Sequence, residues 1–114
     1  MSDAELEARM LVTIRSRGRC ELDLPTVCTK RATDWSHRIA RGRGGKWTAS
    51  DGLAACRPCH ETITNTRGQR ARFERWGFIV RTGANTEEVP VLLGCCRWVL
   101  LDNQGGLTDV EVPT

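Results

Sequence analysis

The chain has 114 residues, 39% of them apolar, and a formal net charge of +3. This describes one thin domain, and no run of eighteen or more apolar residues is present, which excludes a transmembrane helix. The opening Ser2-Asp3-Ala4-Glu5-Leu6-Glu7 is acidic and polar rather than basic and then apolar. The expected setting is therefore a reducing cytoplasm with no membrane partner, where six cysteines read as metal ligands and free thiols.

In chain order, Ser2 with Glu5 three positions later forms a capping box. Leu6, Met10, Val12 and Ile14 give a rough apolar face and Gly18 a stop, so residues 3–17 are predicted to be a helix. Cys20 to Cys28 reads as a loop, since Pro25 forbids a regular helix. A strand is predicted over 33–39. Gly42, Gly44 and Gly45 then turn the chain into a second strand around Lys46-Trp47-Thr48. Ser50 or Asp51 caps a helix running through Cys59 and His60 to about Thr64, and Gln69 to Trp76 forms another, ended by Gly77. Residues 78–81, 89–93 and 97–101 look like short strands, with 103–106 as a turn and the last ten residues polar and loose. The expected organisation is an N-terminal helix (1–19), a core (20–76) and a β-rich extension of the same domain (77–114).

Charge is unevenly spread. Residues 15–75 carry 14 Lys/Arg against 6 Asp/Glu, and the rest of the chain 3 against 8. Fifteen of the 17 basic residues are arginine, which suits bidentate contact with phosphate and serves equally well on a solvated surface.

Cys56-Arg57-Pro58-Cys59 has the spacing of a metal knuckle, and Cys20 with Cys28 supplies a second, wider pair. Four thiolates close a tetrahedral site, so the implied zinc is structural and staples the N-terminal segment to the central helix. Buried free cysteines or disulfides are the competing reading. Cys95-Cys96, adjacent and far along the chain, read as strand residues with at least one of them buried.

Over residues 20–64 the chain resembles the HNH endonucleases, above all the short zinc-containing proteins of bacteriophages. The residues that carry the resemblance are Cys20 and Cys28, Ser36-His37-Arg38, Gly42-Arg43-Gly44-Gly45, Asp51, and Cys56-Arg57-Pro58-Cys59-His60. The family places an Asn nine positions before its last His, and Asp51 lies nine before His60. The resemblance implies an α+β fold, a small ββα-metal, treble-clef-like domain stapled by the cysteines. It implies that His37 is the general base and that His60 ligates a catalytic divalent ion, with products ending in 5′-phosphate and 3′-hydroxyl. It also implies double-stranded DNA as substrate, terminase subunits as partners, and a bacterial host cytoplasm.

Three departures matter. Ser36 stands where the family has an Asp or His ligand, and it binds directly or through water unless Asp34, two residues earlier on the same strand face, is the donor. Asp51 replaces the Asn that fixes the base-bearing loop, and a carboxylate cannot donate, so that network must be rearranged. Thr64 stands where some members carry a second His. One imidazole with oxygen donors suits Mg²⁺ or Mn²⁺. Arg38, Arg41, Arg43 and Lys46 surround the turn and are expected to grip phosphates. The competing function is a non-catalytic zinc-stapled DNA-binding module that has lost its first metal ligand. A small disulfide-rich secreted binder is disfavoured by the N-terminus and the knuckle spacing.

Overall fold

The computed structural model describes residues 1–65 and 67–113. Helix α1 (Asp3–Ser16) begins as the capping residues dictate: Ser2 Oγ accepts the Glu5 amide at 3.1 Å. It ends where Arg17 and Gly18 enter the left-handed region (φ 57° and 76°). Of the apolar face expected of this helix, only Val12 is buried. Ala8, Val12 and Ser16 face inward, whereas Leu6, Met10 and Ile14 are 51%, 56% and 73% exposed.

Strand β1 (Asp34–His37) pairs antiparallel with β2 (Gly52–Ala55), in the register Asp34–Ala55, Trp35–Ala54, Ser36–Leu53 and His37–Gly52. The second strand is thus not at 46–48. Lys46 gives its amide to the Asp51 carboxylate (2.8 Å) and Trp47 packs on Trp35 and His37, so this stretch belongs to the connection. That connection, residues 38–51, carries two 3₁₀ turns, Arg41–Arg43 and Ala49–Asp51. Asp51 consequently precedes a strand and caps no helix. Helix α2 (Arg57–Asn65) starts only after β2, with Pro58 tolerated in its first turn.

All four residues of β2 are buried. Ala54 packs with Val12 of α1 and Ala49, while Leu53 and Ala55 join the main core with Leu22, Phe73, Phe78, Val91 and Val99. Gly52 is required by close approach: a Cβ there would overlap the Trp35 ring.

Helix α3 (Arg70–Arg75) is followed by an irregular segment instead of the expected strand at 78–81. The amides of Phe78 and Ile79 turn back onto the Phe73 carbonyl (2.9 and 3.3 Å), closing the helix, and are lost to any ladder. The second sheet is β3 (Val91–Leu93), β4 (Arg97–Leu101) and β5 (Leu107–Asp109), antiparallel in that order. Part of the tail expected to be loose therefore forms an edge strand, and Thr114 lies outside the described residues. Cys95 and Cys96 are not strand residues. They occupy the turn between β3 and β4, both exposed, with Cys95 at φ 68°. Among the described residues no helix is long and apolar enough to cross a membrane.

Two buried arginines tie these parts together. Arg15 on α1 forks onto Glu21 (2.9 and 2.8 Å) and reaches the carbonyls of Ala49 and Gly52, while Glu21 also accepts the Ala54 amide. Arg38 is 1% exposed. Its guanidinium donates to the carbonyls of Gly77 (2.8 Å), Ser50 (2.9 Å), Thr86 (3.0 Å) and Val89 (2.7 Å). Burial pulls its pKa down to about 10 against the raising effect of Asp51, so it stays charged at neutral pH. Arg38→Met strands these acceptors, and unfolding titrations should show a loss of about 3 kcal/mol or more. Arg38→Lys, which cannot fork, should recover only part of it. An unchanged denaturation midpoint in both variants would refute this structural role.

Candidate active site and metal centre

The cysteines come from four places in the fold. Cys20 follows α1, Cys28 closes the next loop, Cys56 comes directly after β2 and Cys59 lies in the first turn of α2. The wide spacing of the first pair has a simple cause. A bridge between Arg19 and Arg31, with Cys20 N–H donating to the Lys30 carbonyl (2.8 Å), folds the loop back on itself. Asp23, Thr26 and Lys30 all take positive φ within it.

The four Sγ atoms lie within 4.8 Å of one another, and the Cys28–Cys56 pair is 3.9 Å apart. Zinc–sulfur bonds of about 2.3 Å in a tetrahedron imply sulfurs about 3.8 Å apart. The quartet can therefore hold a metal ion such as zinc. The surrounding amides fit the same purpose: Thr29 and Cys59 N–H point at Cys56 Sγ (both 3.4 Å) and Lys30 N–H at Cys28 Sγ (3.3 Å). Burial opposes the Cys56 thiolate, but these amides outweigh it and bring the pKa down to about 6. Burial raises Cys28 to about 11 and pushes Cys59 up further.

The two histidines line one cleft of about 470 Å³. His37 ends β1 and packs edge-on against Trp35 and Trp47, with ring centroids 5.6 and 4.6 Å away. Its Nδ1 lies 3.2 Å from Asp51 Oδ2. Asp51, 2% exposed, also takes the amides of Ile39 (2.7 Å) and Lys46 (2.8 Å). A carboxylate oxygen only accepts, so the hydrogen of the imidazole sits on Nδ1 and Nε2 keeps its lone pair. That Nε2 is buried and, among the described residues, has no hydrogen-bond partner. Asp51 thus holds the 39–46 loop and orients His37 without needing to donate.

His60, on α2, repeats the pattern. Its Nδ1 lies 3.0 Å from Asp34 Oδ2, which also accepts from Arg57 at 2.8 Å. Burial raises the Asp34 carboxyl, but hydrogen bonds from His60, Arg57 and Thr33 overcome it and hold the pKa at about 2. Ser36 lines the same cleft and is 2% exposed. Of the two oxygen donors considered on this strand face, Asp34 is the one that reaches His60. Thr64 also lines the cleft, its hydroxyl donating to the His60 carbonyl (2.8 Å).

The basic residues divide. Arg41, Arg43 and Lys46 are exposed, and the two arginines border the cleft, Arg41 donating to the Gly45 carbonyl at 2.6 Å. Arg38 must be struck from the phosphate-gripping set, because its charge is consumed by four internal carbonyls. Arg70, which the sequence reading passed over, opens α3 and lines the cleft. Its neighbours in sequence gave no sign, since the cleft reaches it only through folding.

Comparison with protein-family models, curated proteins and solved structures finds no match to this chain.

With Cys28 and Cys59 protonated near neutrality in the metal-free chain, zinc uptake around pH 7 should release at least two protons per ion. Affinity should accordingly climb at least about a hundredfold per pH unit between about pH 7 and 9. Competition with a chromophoric chelator across that range measures the slope. Cys56→Ser should lower both bound zinc and melting temperature, and a flat pH profile with unchanged melting would reject the quartet as a metal site.

Proposed function

We propose that the chain is a metal-dependent DNA endonuclease of the HNH type, built on a ββα-metal arrangement of β1, β2 and α2. The observation that carries this reading is the pair of histidines on one cleft, each backed by an aspartate. Asp51 fixes His37 and Asp34 fixes His60, each through Nδ1, so that Nε2 is the nitrogen each imidazole leaves for other chemistry. Structural histidines tend to have both nitrogens satisfied, whereas here one buried Nε2 is left unpaired.

In this reading His37 Nε2 takes a proton from a water as the water oxygen bonds to phosphorus and the bond to the 3′ oxygen breaks. The 3′ oxygen leaves as a hydroxyl after gaining a proton from solvent, and the 5′ end keeps the phosphate. An unpaired buried acceptor costs about 1–3 kcal/mol, a cost removed when a water enters the cleft against it. His60, with the Ser36 hydroxyl as oxygen donor, would hold a Mg²⁺ or Mn²⁺ ion. When bound, that ion supplies Lewis-acid stabilisation of charge on the phosphate and the departing oxygen. Asp34 acts there chiefly as the carboxylate that orients the ligand imidazole. Arg41, Arg43 and Lys46, joined by Arg70, contact the flanking phosphates of the duplex. Processing of a phage genome beside terminase subunits is the biological role that the family resemblance suggests.

The second reading, a DNA-binding module without catalysis, is favoured by Ser36, which offers only a hydroxyl where a stronger ligand would be expected. Supercoiled plasmid separates the two. The wild-type chain should nick or linearise it with Mg²⁺ or Mn²⁺ and not in excess chelator. His37→Ala should slow cleavage about 10²- to 10⁴-fold while DNA affinity stays within roughly threefold. Cleavage at the wild-type rate by His37→Ala would remove the base from the mechanism, and binding without cleavage under every metal would favour the module.

A further inference from the structure

Cys95 and Cys96 take no part in the cysteine quartet, and both are exposed. Their Sγ atoms lie 2.8 Å apart, much closer than the 3.9 Å between Cys28 and Cys56 in the quartet. Sulfurs sharing a tetrahedral zinc stand about 3.8 Å apart, whereas a disulfide bond is about 2.05 Å long. The two thiols therefore converge on each other rather than on a common ion.

The backbone presents them in this way. Gly94 and Cys95, with φ of 59° and 68°, are the central residues of the turn between β3 and β4. Cys96 N–H closes that turn on the Leu93 carbonyl at 3.3 Å, and Gly94 N–H anchors it to the Glu21 carbonyl at 3.0 Å. Two successive positive φ values define a turn in which Asn, Asp and Gly are favoured at both central places. A cysteine at the second place is conformationally costly, and asparagine would hold the same hairpin register. What cysteine adds there is its sulfur.

We infer that Cys95 and Cys96 form a reversible dithiol–disulfide site that exchanges with small-molecule disulfides of the glutathione class. One thiolate attacks a sulfur of the oxidant RS–SR, forming a mixed disulfide and releasing RS⁻, which takes up a proton. The second thiol loses its proton and attacks the protein sulfur of that mixed disulfide, and the other RS⁻ leaves and is protonated. The protein dithiol is thereby oxidised by two electrons, and RS–SR is reduced to two RSH. Ring closure outruns capture by another chain, because the resolving sulfur is already in contact with the first. Neighbouring Cα atoms are about 3.8 Å apart, below the roughly 4.4–6.8 Å that most disulfides span, so excess thiol readily reopens the ring. The inference rests on this turn and is independent of the nuclease reading.

Incubation of the full zinc-loaded chain with excess oxidised glutathione, followed by intact mass and peptide mapping, tests this. The wild-type chain should lose two reagent-accessible thiols and about 2 Da, carry no glutathione, and stay monomeric on a non-reducing gel. Mapping should place the new bond between Cys95 and Cys96, and reduced glutathione should restore both thiols. Cys95→Ser and Cys96→Ser, each left with one sulfur of the pair, should each retain one glutathione. The double variant should remain unmodified. A wild-type chain that keeps a glutathione adduct, links to a second chain, or stays fully reduced would overturn the proposal. So would the same loss of about 2 Da in the double variant, since the oxidised sulfurs would then belong to the quartet.

Discussion

The four thiols gathered beside the β1–β2 pair are the constraint on which the rest of the molecule depends. They join the loop after α1, the residue that follows β2 and the first turn of α2. Cys56 and Cys59 are wholly buried in the same cluster as Leu22, Leu53, Phe73 and Phe78. An ion held by the four thiols would therefore sit directly against the core. For a chain this short, whose core is thin for its surface, an ion that couples distant segments contributes stability that apolar burial alone supplies poorly. The raised thiols of Cys28 and Cys59 fit the same picture, because burial disfavours their thiolates unless a cation lies beside them.

Around that anchor the chain uses buried charge as scaffolding. Arg38 and Arg15 look in sequence like members of a basic stripe, but both guanidiniums are folded into the interior on carbonyls and, for Arg15, on Glu21. Their five-donor fork explains the choice of residue. Arg38 satisfies acceptors from separate irregular segments, and Arg15 joins the turn at Ala49 to the start of β2. Asp51 does the complementary work with acceptors, holding the amides of Ile39 and Lys46 and the Nδ1 of His37 at once. The placement of His37 is therefore set by an interlocked network in which Arg38, one residue on, fixes the backbone while Asp51 fixes the ring.

The sequence made some of this legible and hid the rest for identifiable reasons. The knuckle, the helix start at Ser2 and the histidines are local signals, and the fold keeps them where local chemistry put them. Strand β2 is Gly-Leu-Ala-Ala, residues of low strand preference. Only its position between α1 and the cysteine core makes it a strand, and residue preferences alone favour a strand around Lys46–Thr48 and an earlier start for α2. Exposure was equally hidden. Nothing in the residue types around Arg38 distinguishes it from Arg41 or Arg43, and only the arrival of Gly77, Thr86 and Val89 from far along the chain makes it internal. On α1, periodicity identified apolar positions but could not say that Val12 would face the core while Leu6, Met10 and Ile14 faced away.

The departure at Ser36 is best weighed in the same geometric terms. Side chains at Asp34 and Ser36 lie on one face of β1, about 7 Å apart along the strand, and α2 runs past both. A ligand position vacated at one of them can be served by the other, provided the partner imidazole lies toward the earlier residue. That is where His60 lies, at hydrogen-bond distance from Asp34. The carboxylate is not free for that role alone, because Arg57 also claims Oδ2 from the first turn of the same helix. On the proposed reading this competition makes Asp34 a better orienter of His60 than a direct ligand. The cleft then offers a cation one imidazole nitrogen, the Ser36 hydroxyl and open positions for water or phosphate oxygens. Such a donor set suits a hard ion that keeps much of its hydration and is held as much by substrate as by protein.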